Sequence, residues 1–363
     1  MNKEIKLSKT VSDYYFGKNS FSKLKSLVNL LPSGNNYNVF VIDIYFKNNN
    51  YLKLDFILSN DIVFYYDTKV EPSVDIINDY VKLIREKKEF TNPNAIIGIG
   101  GGCTLDVTKA ISNLLTNPGL AQDYQGWDLL QNKGIYKIGV PTISGTGAEA
   151  SRTCVMMNYE KNLKMGMNSQ YSLFDVLILD PMLTKTVKRD QYFYSAMDTY
   201  IHCIESLNGK YRHQMADSYS KEALRLCDEV FNSNDMMTYE NREKIMIASF
   251  LGGSSIANTY VGLIHPFSAG LSVVFGYHHC YANCLVIDVM EEFYPDEHKI
   301  FRTYLDNQNI ELPKNILSNI DDETYEHLYK STIIHEKPLE NALGSDFKSI
   351  LTFEKVKSIF SKI

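Results

Sequence analysis

The sequence predicts an α/β first half built on a parallel sheet, followed by an all-helical second half. Before about residue 180, apolar runs of strand length alternate with helical stripes, the pattern of a parallel sheet with helices on its faces. Beyond that point helical stripes follow one another with almost no strand-like runs. At 363 residues the chain also exceeds what one hydrophobic core usually serves, so it divides into domains at 1–180 and 181–363.

The first strand is "NVFVIDIYF" (38–46), apolar and rich in β-branched and aromatic residues, as a strand buried on both faces should be. "DIVFYYD" (61–67) is the second. "SVDIINDYVKLIREKKEF" (73–90) has apolar residues at 74, 77, 80, 81 and 84, a helical stripe. "AIIGIGGG" (95–102) runs from strand into glycines, with a helix over 104–117 behind it. "YKIGVPT" (136–142) repeats the strand-then-loop form. Asp180 followed by Pro181 is a helix-start signal, a capping carboxylate with proline at the first helical position. Helical stripes then cover 190–208, 213–232, 239–258, 263–276, 281–292 and 340–363.

A net charge of −6 supplies no excess of cations to neutralise phosphates, which argues against nucleic acid or an anionic membrane as partner. No apolar run approaches the roughly 18 residues of a membrane span. The N-terminal stretch lacks the apolar core of a secretory signal, so the cytoplasm is the expected location. Six cysteines show neither CxxC pairs nor a dense framework, against disulfides and a structural zinc knuckle.

"GIGGGCTLD" (98–106) places consecutive glycines between a buried strand and a helix. Without Cβ atoms, Gly100, Gly101 and Gly102 let backbone N–H groups approach a phosphate, and the helix N-terminus adds a positive dipole. The spacing is not the common GxGxxG fingerprint. A second loop, "PTISGTGAEAS" (141–151), also follows a strand, and two such loops should line one crevice at the carboxyl ends of the strands. Asp43 lies in an otherwise apolar strand. A lone buried carboxylate is costly, so it belongs at the strand end, either capping a loop or holding the hydroxyls of an adenosine ribose.

In "DQYFYSAMDTYIHCIESL" (190–207), Asp198 and His202 stand four apart and share a helix face with Tyr194 and Glu205. His265 opens "HPFSAGLSVVFGYHHC", and His279 follows fourteen residues later, with His278 a rival beside it. Together these make a site of three histidines and one carboxylate for a divalent metal, Fe2+ or Zn2+. His213, His298, His327 and His335 stand in polar contexts and read as surface.

The order of strand-end Asp, "GGGCTLDVTK", "PTISGTGAE", "DTYIHCIE" and two later histidines resembles the iron-containing (group III) alcohol dehydrogenase family. More distant relatives are the glycerol dehydrogenases and dehydroquinate synthase. The resemblance runs from "FGKNSF" (16–21) to about residue 295. It implies a dehydroquinate synthase-like fold: a Rossmann-like dinucleotide-binding domain, then a helical domain, with nicotinamide and metal in the cleft between them. By motif, Asp43 would hold the adenosine ribose of NAD and disfavour NADP. Gly101, Gly102 and Cys103 would cradle the pyrophosphate, with Asp106 close by, and Thr142, Thr146 and Lys164 would line the cofactor. Asp198, His202, His265 and His279 fall on the family's metal ligands.

Three positions depart from the family: Cys103 for Ser, Glu71 for Asn, and Ala269 where many members carry a histidine near the nicotinamide. The last leaves the proton route open, with His278 or a substrate hydroxyl as substitutes. Within the family, "RDQYFYSAMDTYIHCIESL" and "VGLIHPFSAGLSVVFGYHHC" are most similar to the branch acting on 3-deoxy-D-manno-octulosonate (Kdo). That branch oxidises the C8 hydroxyl ahead of transamination to an 8-amino sugar of lipopolysaccharide. The implied partners are a sugar-acid or other primary alcohol, a pathway aminotransferase, and a second copy in a homodimer. Arg152 and Lys164 are candidate partners for a substrate carboxylate. The competing readings are another alcohol or polyol dehydrogenase, a lyase using NAD transiently, an oxidase passing electrons to oxygen, and a non-enzymatic sugar or metal sensor.

Overall fold

The computed structural model describes residues 8–31, 37–47, 51–88 and 91–363. Nine strands occur among them: β1 (Asp13–Phe16), β2 (Val39–Asp43), β3 (Ile62–Tyr66), β4 (Ile96–Gly100), β5 (Gly126–Trp127), β6 (Lys137–Pro141), β7 (Thr153–Asn158), β8 (Leu163–Asn168) and β9 (Val176–Leu179). Six of them make one all-parallel sheet in the order β1-β9-β6-β4-β2-β3. Alternate residues along its strands enter opposite cores. Val39, Val41 and Ile96 pack under the helices α2 (Val74–Lys87) and α3 (Gly102–Leu114), while Phe40, Ile42, Ile97 and Ile99 pack with Leu24 and Val28 of α1 (Lys23–Leu30). The chain order reverses between β2 and β4, so their carboxyl ends open a crevice at a topological switch point.

From residue 189 the described chain is helical: α4 (Arg189–Asn208), α5 (Gln214–Phe231), α6 (Tyr239–Asn258), α7 (Ile264–Phe275), α8 (His279–Ile287), α9 (Pro295–Asn307), α10 (Asp322–Ile333), α11 (Glu336–Leu343), α12 (Phe347–Ile350) and α13 (Phe353–Phe360). These helices share one large core running from Tyr192 to Ile363. No helix among the described residues is long and apolar enough to cross a membrane.

The α/β half followed by a helical half is the predicted fold class, but several elements differ. The strand pair β7–β8 is an antiparallel hairpin that, with β5, forms a separate three-stranded sheet. Its short, polar-flanked runs carried no strand signal. The Asp180–Pro181 start is real in its cap, Asp180 accepting from Met182 N–H, yet it launches only a short 3-10 turn to Thr184. Helices α9 and α10 were not foreseen, and the stripe at 340–363 is broken into three, with Gly344 at φ +87° ending α11. The helix expected over 73–90 is described to Lys88; positions 89 and 90 lie outside the described residues.

Candidate active site

The crevice is lined by the first glycine loop. Gly101 precedes the first residue of α3, and Gly102 begins the helix. A Cβ on Gly101 would lie 2.7 Å from Ile143, and one on Gly102 would lie 2.9 Å from Thr146 Oγ1. The two loops therefore face each other closely enough to exclude side chains. Thr142 is buried and its N–H donates to Gly100 O (3.0 Å), continuing the sheet ladder. Asp43 ends β2, where its carboxylate accepts from Tyr45 N–H (2.9 Å) and the Thr68 hydroxyl (3.3 Å). Burial raises its pKa. It stands at the strand end and meets a hydroxyl, and it also caps the following turn.

Asp106 turns away from open space: one oxygen accepts from Val155 N–H (3.0 Å) and the other pairs with Lys109 Nζ (2.9 Å). Cys103 lies in the field of Glu71, Lys164, Asp106 and Asp43, and burial holds it as a thiol. Lys164, on β8, reaches Glu71 Oε1 (3.1 Å) and the Ser272 hydroxyl of α7 (3.1 Å). It bridges the hairpin to the helical half.

The second loop has a different use from the first. Gly145 and Gly147 have φ of +140° and +60°, and a Cβ on either would collide with helix backbone: Ser195 O of α4 at 1.7 Å, Gly253 Cα of α6 at 2.6 Å. Their N–H groups both donate to Ser249 Oγ (2.8 and 3.2 Å), which itself donates to Glu149 (2.7 Å). Thr199 Oγ1 donates to Gly145 O (2.7 Å). These glycines seat the loop on α4 and α6.

Asp198, His202, His265 and His279 converge, each offering one donor atom, all within 4.8 Å of one another. Asp198 is fully buried, with Oδ1 3.6 Å from His202 Nε2 and 3.4 Å from His265 Nε2, and Oδ2 3.6 Å from His279 Nε2. Those separations are long for hydrogen bonds. They match the edges of a coordination polyhedron, since bonds of about 2.1 Å at tetrahedral angles set donors about 3.4 Å apart. Burial works to raise the Asp198 pKa, but His202, His279 and His265 outweigh it and keep the carboxylate ionised. Burial lowers His202 to about 4 and His279 to about 3, leaving both imidazoles neutral, the form that ligates a metal. The donor set fits a divalent ion.

His279 rather than His278 joins the cluster. His278 is exposed, with its Nδ1 3.9 Å from Glu71 Oε1, while His279 N–H donates to that same carboxylate (3.2 Å). Ala269 is buried one turn after His265.

Glu205 went unassigned in the sequence, although its spacing, seven residues after Asp198 on the same face, was the available signal. It accepts from Ile264 N–H (2.5 Å), His265 N–H (3.3 Å) and His265 Nδ1 (2.5 Å), which turns Nε2 toward Asp198. Burial would lower the His265 pKa, but Glu205 and Asp198 raise it to about 10, so a divalent ion would take the place of the proton on Nε2 beside Asp198. Asn283, one turn after His279, donates to Asp198 Oδ1 (2.6 Å). The surface reading of His335 is corrected by the fold. The turn between α10 and α11 carries it inward, its Nε2 is buried without a partner among the described residues, and its ring feels Lys164 and His265. His213 and His298 are half-buried and contact backbone carbonyls; His327 is exposed, as expected. Polar neighbours in sequence were no guide to packing.

The family model for iron-containing alcohol dehydrogenases matches residues 12–181, and the model for the C-terminal part of the Fe-containing alcohol dehydrogenase family matches 192–308. A sulfoacetaldehyde reductase of Bilophila wadsworthia is 34% identical over 215 residues, 58% of this chain and 54% of that protein, so the matched stretch spans about half the relative's length. An alcohol dehydrogenase from Oenococcus oeni superposes with a TM-score of 0.84 at 19% identity, over 98% of this chain and 99% of that one. A sulfoacetaldehyde reductase from Bifidobacterium kashiwanohense, solved with NAD+, gives 0.80 at 20% identity over 98% of both chains. With these matches spanning both the sheet and the helices that carry the donor cluster, the chain belongs to the iron-containing alcohol dehydrogenase family.

Proposed function

We propose that this chain is a metal-dependent oxidoreductase that transfers hydride between a primary alcohol carbon and NAD. The observation that carries the reading is the fully buried Asp198 flanked by three imidazole Nε2 atoms at 3.4–3.6 Å. Asp198, His202, His265 and His279 would hold Fe2+ or Zn2+, which both suit imidazole and carboxylate donors. When bound, such an ion supplies Lewis-acid polarisation of the alcohol oxygen and lowers its pKa. Glu205 holds His265 in one orientation, and Asn283 steadies Asp198 by its amide hydrogen bond.

On the cofactor side, Gly101, Gly102 and Cys103 leave room for the pyrophosphate, with Thr142, Thr146 and Lys164 around it and Asp106 bracing the loop. Asp43 would take the ribose hydroxyls and repel a 2′-phosphate, favouring NAD over NADP. Residues 1–180 then serve the cofactor and 181–363 the metal and substrate. His278, exposed and near Glu71, is the available route for the alcohol proton to solvent. Within the reaction class, the C8 hydroxyl of Kdo or a related sugar acid is the substrate the sequence motifs favour.

The test is NADH formation by metal-stripped protein reloaded with iron or zinc, comparing Kdo, butan-1-ol and glycerol. Stripping should abolish turnover and reloading restore it. An unchanged rate after stripping, or in His265→Ala, would refute the metal's role. Product without net NADH would favour the lyase reading, and brisk turnover of butan-1-ol alone would reject Kdo.

A further inference from the structure

The chain's single tryptophan anchors a second cluster, separate from the metal donors. Trp127 ends β5 and meets Tyr260 edge-on, with ring centroids 4.8 Å apart. The Arg152 guanidinium lies 5.6 Å from the Trp127 ring, and Lys337 Nζ lies 4.6 Å from that ring and 5.8 Å from Tyr260. Asp128 meets Arg152 only at 3.5 Å and is itself 56% exposed. Lys337 Nζ has no hydrogen-bond acceptor among the described residues, and Arg152 has most of its five N–H donors to spare. A cation held on an aromatic face keeps both its charge and its donors. Burial and the repulsion of Arg152 outweigh Asp128 and Glu340 and lower the Lys337 pKa, so its charge is under-compensated.

The chain's connectivity ties the cluster to the site already described. Arg152 directly follows the loop seated on α4 and α6. Tyr260 stands five residues before His265, a span of at most about 17 Å of extended chain. Lys337 comes two residues after His335, whose ring feels both Lys164 and His265.

We propose that Arg152 and Lys337, held on Trp127 and Tyr260, form a subsite for the anionic end of the substrate, a carboxylate or sulfonate. The substrate is then a hydroxy acid whose alcohol carbon reaches the metal donors while its oxyanion sits in this subsite. The proposal rests on the dehydrogenase reading but is separable from it, because Trp127 reports binding without turnover. Metal-loaded protein is titrated with 4-hydroxybutyrate and with butan-1-ol, which share a four-carbon chain, while tryptophan emission is followed. The carboxylate should change the emission saturably and the alcohol should not. Lys337→Gln should weaken that binding by about tenfold or more, the loss expected for a hydrogen bond to a charged group, and Lys337→Arg should keep it. In steady state, the kcat/KM ratio of 4-hydroxybutyrate to butan-1-ol should fall by the same factor in Lys337→Gln, through KM. Saturable emission without any NADH would retain the subsite and reject hydride transfer. No response to 4-hydroxybutyrate, or an unchanged ratio in Lys337→Gln, overturns the subsite.

Discussion

The two halves of the chain prepare for ligands in opposite ways. Around the crevice of the sheet, room is made by leaving side chains out, and the groups facing the gap are largely main chain at Gly101 and Gly102. In the helices the site is made of side chains, and each buried charge has its partners: Asp198 among three imidazoles, Glu205 on His265 and two backbone N–H groups. Backbone-built sites fail by steric intrusion and side-chain sites fail by lost chemistry, so the same size of substitution should damage fold in one half and function in the other.

The largest effect should come from Gly145→Ala. Its Cβ would lie 1.7 Å from Ser195 O at φ +140°, and neither backbone can yield cheaply. A loss of about 4 kcal/mol or more is expected, read as a collapse of the urea midpoint. A normal midpoint would break the comparison at its strongest point.

Lys137 is the exception in the sheet, a buried cation whose Nζ finds no hydrogen-bond partner among the described residues. Burial lowers its pKa from 10.5 to about 8. Between those values the unfolded chain holds a proton that the native one lacks, so stability should rise with pH across that window and be least below pH 8. Lys137→Met should remove this slope and stabilise the protein near neutral pH by up to about 3 kcal/mol. Parallel pH profiles for the two proteins would show that the ammonium is better solvated than its burial implies.

In the helical half, Glu205→Gln should leave the midpoint nearly unchanged and weaken metal binding by about 10- to 100-fold, as loss of an orienting partner does. Metal titration with a competing chelator measures it. Unaltered affinity would mean that packing of α7 alone orients His265.

The fold class and the Asp198–His202 pair were legible because both depend on periodicity and spacing, whereas the choice of His279 over His278 as the last donor came from the resemblance to the family. Asp198 and His202 advertise one helix face, and the strand–glycine–helix run at 96–114 advertises the crevice. What escaped was set by long-range packing. His335 stands between Ile334 and Glu336 at the end of a polar-flanked helix, and only the turn between α10 and α11 carries it inward to where its ring feels Lys164 and His265. The hairpin β7–β8 lacks a clean alternation because its pairing, and its seat on β5, come from tertiary contacts. Gly145 and Gly147 looked like phosphate-loop glycines, and their identity is instead dictated by α4 and α6.

That seating has a mechanical consequence. Ser249 Oγ accepts two N–H groups and donates once, the full capacity of a hydroxyl, so solvent has no vacancy through which to loosen it. Thr199, the residue after Asp198, fastens the same loop from the other helix. The carboxylate donor and the edge of the crevice are thus one residue and one hydrogen bond apart, a gauge that fixes the gap between them. Reacting atoms tolerate about an ångström of error at a cost near a hundredfold in rate. Together with the Lys164–Ser272 hydrogen bond, this joint ties the sheet half to the helical half on either side of the donor cluster's helices.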